Sequence, residues 1–154
     1  MFKEISRNVV PVFDTEAKFI IWTPNGSCLP VIARHDFPGH SQFNTLHALM
    51  RYLRERVDVA RGVHVVGMQG HKHQWAISEE EVAERGYFFS AIRAKGYKMP
   101  DDHTVHGNFT AQDYGASILT TYNPQAKNPA QALYIWRDVE EGAAYLTWLR
   151  KRFK

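Results

Sequence analysis

Apolar residues in this chain fall in short runs broken by turn residues, not in long helical stripes. Lys18 to Trp22 and Leu29 to Ala33 are two such runs, and they flank Thr23-Pro24-Asn25-Gly26-Ser27. Pro-Asn-Gly is strong turn chemistry, so the pair predicts a β-hairpin. Val9-Val10-Pro11-Val12-Phe13 predicts a short edge strand, because Pro11 has no N–H to give to a ladder. Leu46, Leu49, Met50 and Leu53 recur at helical spacing and predict a helix over roughly 44–56. Val63 to Met68, after Gly62, predicts a central strand. Ser78-Glu79-Glu80-Glu81 has capping-box character and predicts a short helix to Glu84. Tyr87 to Ala94, Ser117 to Tyr122 and Ala132 to Arg137 read as further strands. Val139 to Arg152 predicts an amphipathic helix that buries Ala143, Leu146 and Leu149 or their neighbours. Strands outnumber helices, so the expected class is α/β, sheet-rich, or α+β. No internal repeat, low-complexity segment or linker divides residues 1–154, which read as one domain.

Composition changes that picture little. At 154 residues with 44% hydrophobic positions, the chain can bury a substantial core and is neither disordered nor collagen-like. Its apolar runs are too short to cross a bilayer, and Met-Phe-Lys-Glu-Ile-Ser-Arg at the start has no apolar signal core. No membrane association is expected. Cys28 is the single cysteine, which excludes an intrachain disulfide and suits a reducing compartment, so a cytoplasmic location is expected. The net charge of +3 is mild. Lys151, Arg152 and Lys154 supply much of it as a solvated helix end, and by itself it is no nucleic-acid signature.

The informative chemistry is histidine at the ends of strands. Val63 to Met68 leads into Gly70-His71-Lys72-His73. Alternate side chains of an extended chain share a face, so His71 and His73 can point the same way toward a metal. Glycine lets the backbone turn just before them. The competing reading is a polar turn ending a strand. Leu29 to Ala33 likewise leads into Arg34-His35-Asp36-Phe37-Pro38-Gly39-His40-Ser41. For His35 the alternative to ligation is a loop histidine bonded to Asp36. Both segments lie at strand carboxyl ends, where open α/β sheets keep their ligands. His40 is read as ordering its loop or facing substrate, His47 as packing, and His64 as a satisfied core histidine. His103 and His106 fall in a polar loop. Arg93, Lys95 and Lys98 follow the next strand and could approach a phosphate, the alternative being surface charge. Trp75, Tyr145 and Trp148 are read as core, not as base-stacking platforms. No phosphate-cradling glycine loop or serine-nucleophile elbow is present.

A lone histidine after one strand, then Gly-His-x-His after the next, resembles the calcineurin-like metallophosphoesterase superfamily. Arg34-His35-Asp36-Phe37-Pro38-Gly39-His40-Ser41 and Gly70-His71-Lys72-His73-Gln74-Trp75 look particularly like phosphoesterases of phages and bacteria. The similarity extends to Ala91-Ile92-Arg93-Ala94-Lys95-Gly96-Tyr97-Lys98 and Tyr145-Leu146-Thr147-Trp148-Leu149. The family's Asp-x-His, Gly-Asp and Gly-Asn-His blocks, which precede the histidines, have no counterpart in their places. Asp101-Asp102-His103 and Gly107-Asn108 echo them out of order and are read as coincidence. The chain thus resembles the C-terminal half of such an enzyme, a β-sandwich flanked by helices.

The resemblance implies His35, His71 and His73 as ligands of manganese, zinc or iron, with His40, Arg93 and Lys98 as weaker candidates for substrate contact. It implies hydrolysis of a phosphate ester, with nucleic acid or a nucleotide as the substrate to consider. A polypeptide carrying the N-terminal half would complete the centre in trans, and the sheet edge left without its partner strands predicts a homo-oligomer or a partner complex. Two rival readings are a non-catalytic metal-binding or interaction module derived from the same family, and a nucleic-acid-binding accessory domain.

Overall fold

The computed structural model describes residues 15–22, 26–39, 41, 44–70, 74–95, 119–123, 125–128 and 131–152. The expected strand over 9–13 lies outside them. The described elements run β1 (Glu16–Trp22), β2 (Cys28–Arg34), α1 (His47–Arg56), β3 (His64–Gln69), β4 (Ala76–Val82), β5 (Tyr87–Arg93), β6 (Leu119–Tyr122), β7 (Leu133–Trp136) and α2 (Val139–Arg152). This is a mixed α/β arrangement rich in sheet, as the apolar pattern predicts.

Five strands form one sheet in the order β1-β2-β3-β5-β4. β1 pairs antiparallel with β2, as the Pro-Asn-Gly turn requires, with Glu16 opposite Arg34 and Trp22 opposite Cys28. β4 and β5 form a second antiparallel pair. β3 lies between the two pairs and is parallel to both neighbours, with Val66 opposite Val31 on one side and Ser90 on the other. β6 and β7 make a separate two-stranded sheet.

Alternation along the strands divides the core in two. Ile32, Val65, Tyr87, Phe89 and Ala91 face α1, which lays Leu46, Leu49, Met50 and Leu53 against them. Leu29, Val31, Val66 and Ile92 face the other way, onto Leu133, Tyr122 and Ile135 of the β6–β7 hairpin. α2 packs on the hairpin, with Tyr145 against Trp136. The layers therefore run helix, five-stranded sheet, hairpin, helix.

Three local expectations need correction. The Ser78–Glu81 segment is strand, not helix: Ala76, Glu80 and Val82 are half-buried while Ile77, Glu79 and Glu81 are exposed. Pairing along the whole of β5 outweighs the capping-box pattern, which is a weak local signal. α1 begins at His47, because Asn44 closes a turn of its own. Its Oδ1 accepts from Leu46 N at 2.9 Å and its carbonyl from His47 N at 3.1 Å. On α2, Gly142 is the buried residue, Leu149 is half-buried, and Ala143 and Leu146 are exposed. Its less exposed positions are Val139, Gly142 and Leu149, and Tyr145 meets Trp136 of the hairpin. No helix among the described residues is long and apolar enough to cross a membrane.

Candidate functional site

Because β2, β3 and β5 are mutually parallel, their carboxyl ends meet at one edge of the sheet. Arg34-His35-Asp36, Gln69-Gly70 and Arg93-Ala94-Lys95 therefore converge there. The contact between the first two is direct. Gly70 donates its N–H to the carbonyl of His35 at 3.2 Å and approaches that of Arg34 at 3.4 Å. Ala94 N–H donates to Gln69 O at 2.9 Å, and His35 N–H to Thr15 O at 3.4 Å. A shallow cleft of about 320 Å³ opens at this edge, lined by Thr15, Ala17, Arg34, His35, Gly70 and Ala94 among others. The His35 side chain is exposed at its rim.

His71 and His73 follow Gly70 directly but lie outside the described residues, as do His40 and Lys98. Among the described residues, no three His, Cys, Asp or Glu side chains gather in a cluster able to hold a metal. The backbone bond from Gly70 to His35 does set the start of the Gly-His-x-His segment beside His35. Imidazoles are neutral donors of the kind that suits manganese, zinc or iron.

Arg93 has a different setting from a solvated cation. It is 5% exposed. Its guanidinium donates to the carbonyl of Thr45, just before α1, and reaches Gln74 Oε1 at 3.5 Å. Gln69, with its amide oxygen turned inward, accepts from Arg93 Nε at 2.6 Å. Burial lowers the Arg93 pKa from its ordinary value, and the nearby charge of Asp36 opposes that shift. The fork of donors thus ties β5, the end of β3 and the entry to α1 into one unit. Sequence reasoning placed Arg93 near the site but missed this clamp and its partner Gln69. The signal available was a polar residue at the end of each of two adjacent apolar strands.

Lys95 leaves the same edge in another direction. Its Nζ donates to the carbonyl of Arg137 at 3.2 Å and lies 5.7 Å from the Trp75 ring centre. That contact joins the strand ends to the junction between β7 and α2. Comparison with known proteins found no match among protein families, curated proteins or solved structures. Arg34 also borders the cleft, with its side chain 4.0 Å from Glu16 and 5.7 Å from the Phe37 ring.

His103 and His106 lie outside the described residues, and the two other described histidines are His64 and His47. His64 is buried in β3, with Nε2 2.8 Å from Ser90 Oγ, and Ser90 Oγ donates to Glu79 Oε1 at 2.9 Å. That agrees with its reading as a satisfied core residue. His47 is half-buried at the start of α1. Tyr145 and Trp148, expected in the core, are instead exposed on α2. Trp75 packs at the margin of the hairpin-side core.

Proposed function

We propose that this chain contributes the histidine side of a metal-dependent phosphoesterase centre of the calcineurin-like type, acting on phosphate esters. The observation that carries the reading is the bond from Gly70 N–H to His35 O. It brings together, at the carboxyl ends of parallel strands, the two segments whose motifs carry the resemblance. The layer order of helix, sheet, hairpin and helix supports the same reading, since a β-sandwich flanked by helices is the expected frame.

On this reading His35, His71 and His73 hold the metal through neutral imidazole nitrogens. When bound, such a metal supplies Lewis acidity toward a phosphate. Arg34 places positive charge at the cleft and draws an anionic ester to it. Arg93, engaged with Thr45 and Gln69, holds the surrounding backbone in place. The bridging carboxylate and the asparagine come from a complementing polypeptide. That partner pairs along β1, an edge strand that exposes Ile20, Ile21 and Trp22.

Calorimetric titration of the chain with manganese and zinc tests the metal. Binding is expected for the native chain and at least tenfold weaker binding for His35→Ala and His71→Ala. Equal affinity in all three would overturn the reading. Hydrolysis of a chromogenic phosphodiester, negligible for the chain alone and restored by a complementing polypeptide, tests the chemistry.

A further inference from the structure

We infer that the outer surface of the β6–β7 hairpin and α2 is a platform for single-stranded nucleic acid. This deepens the phosphoesterase reading by naming its substrate class, and it rests on that reading only for the link to the cleft. Four aromatic rings form a continuous series there. Tyr134 and Trp136 lie 4.7 Å apart between ring centres, Trp136 and Tyr145 5.1 Å, and Tyr145 and Trp148 6.0 Å. Both ends of the series are open: Tyr134 is 59% and Trp148 49% exposed. A groove of about 860 Å³ runs beneath it between hairpin and helix, with Thr121, Asn123 and Gln131 among its polar lining.

Charge decides the occupant. The last turn of α2 carries Arg150, Lys151 and Arg152, and the Arg152 guanidinium stands 5.1 Å from the Trp148 ring centre. The acidic residues Glu140 and Glu141 sit in the first turn, at the far end of the helix. A ring with a cation beside it matches a base with its phosphate, whereas an apolar peptide would leave Arg152 without a counterpart. The series also has a direction. Trp136 adjoins Arg137, whose carbonyl accepts from Lys95 Nζ just beyond β5, so that end of the series is the one tied to the strand ends.

The test is fluorescence anisotropy of the full chain with a labelled oligothymidylate, in EDTA so that no metal contributes. Salt-sensitive binding is expected. Trp148→Ala should weaken it about tenfold, and Trp148→Phe, which keeps a ring, should largely preserve it. Arg152→Gln should weaken it and flatten its dependence on salt. No binding, tighter binding to duplex of the same length, or equal binding by Trp148→Ala would each overturn the platform. His71→Ala should bind the oligonucleotide as the native chain does. Failure of the metal centre therefore leaves this result standing, and the reverse also holds.

Discussion

Gly67 in β3 lies so close to Leu53 in α1 that a Cβ on the glycine would stand 2.6 Å from Leu53 Cδ1. The same atom would meet Leu49 Cδ1 at 2.9 Å. Both leucines are fully buried, so a side chain here would force them to shift within a filled core. The absent side chain sets how near the helix approaches the central strand. Gly67→Ala is expected to destabilise the fold by about 1–3 kcal/mol through overpacking. Urea unfolding measures this; an unchanged midpoint would mean the helix shifts freely.

Arg93 gives a second prediction. Lysine keeps the charge but not the planar fork that serves Thr45, Gln69 and Gln74 together. Arg93→Lys is expected to cost about 1.5–3 kcal/mol, the range for hydrogen bonds to a charged group. Denaturant titration reads the loss, and a change within error would show that the clamp contributes nothing.

The pair Arg54–Glu80 ties α1 to β4, with Arg54 Nε 2.7 Å from Glu80 Oε1. The hydrogen bond from Arg54 holds the Glu80 pKa below its ordinary value of 4.5. A depressed carboxylate pKa stabilises the fold above its unfolded value, and that contribution disappears as pH falls through the folded one. Both side chains are substantially solvated, so the effect is small. Glu80→Gln is expected to cost about 0.5 kcal/mol near neutral pH, with the difference vanishing in acid below the ordinary carboxylate range. A difference that persists in acid would assign the loss to packing.

Among the described residues, the two edge strands of the large sheet differ in ways that predict association. β4 carries Glu79, Glu80 and Glu81, which discourage pairing. β1 exposes Ile20, Ile21 and Trp22 in succession. Sedimentation at high concentration is expected to show self-association that Ile20→Lys reduces. A monodisperse monomer for the native chain would remove β1 as a pairing edge.

Where one residue type dominated its surroundings, the chain could be read directly. Pro24-Asn25-Gly26 announced the β1–β2 hairpin, and Leu46, Leu49, Met50 and Leu53 announced α1 with its buried face. β4 could not be read, because three consecutive glutamates suit a helix and only the partner β5 makes them strand. The exposed rings of α2 were missed for a related reason. Aromatic residues at helical spacing signal burial on average, and nothing local says that the hairpin beneath is too narrow to cover them. At the candidate site the strand-end placement of His35 and Gly70 was legible. The clamp by Arg93 was not, because Thr45 lies far from it in sequence and supplies only a backbone carbonyl.

The central position of β3 has a consequence for how the chain folds. β1 with β2 and β4 with β5 are antiparallel pairs of near neighbours, closed by short loops at little entropic cost. β3 joins them in parallel register on both sides, and such longer-range pairing is expected to be the slower step. The carboxyl ends of β2, β3 and β5 come together only when that step completes. On the proposed reading the site forms only with that alignment, and metal affinity should then appear in refolding no earlier than the docking of this one strand.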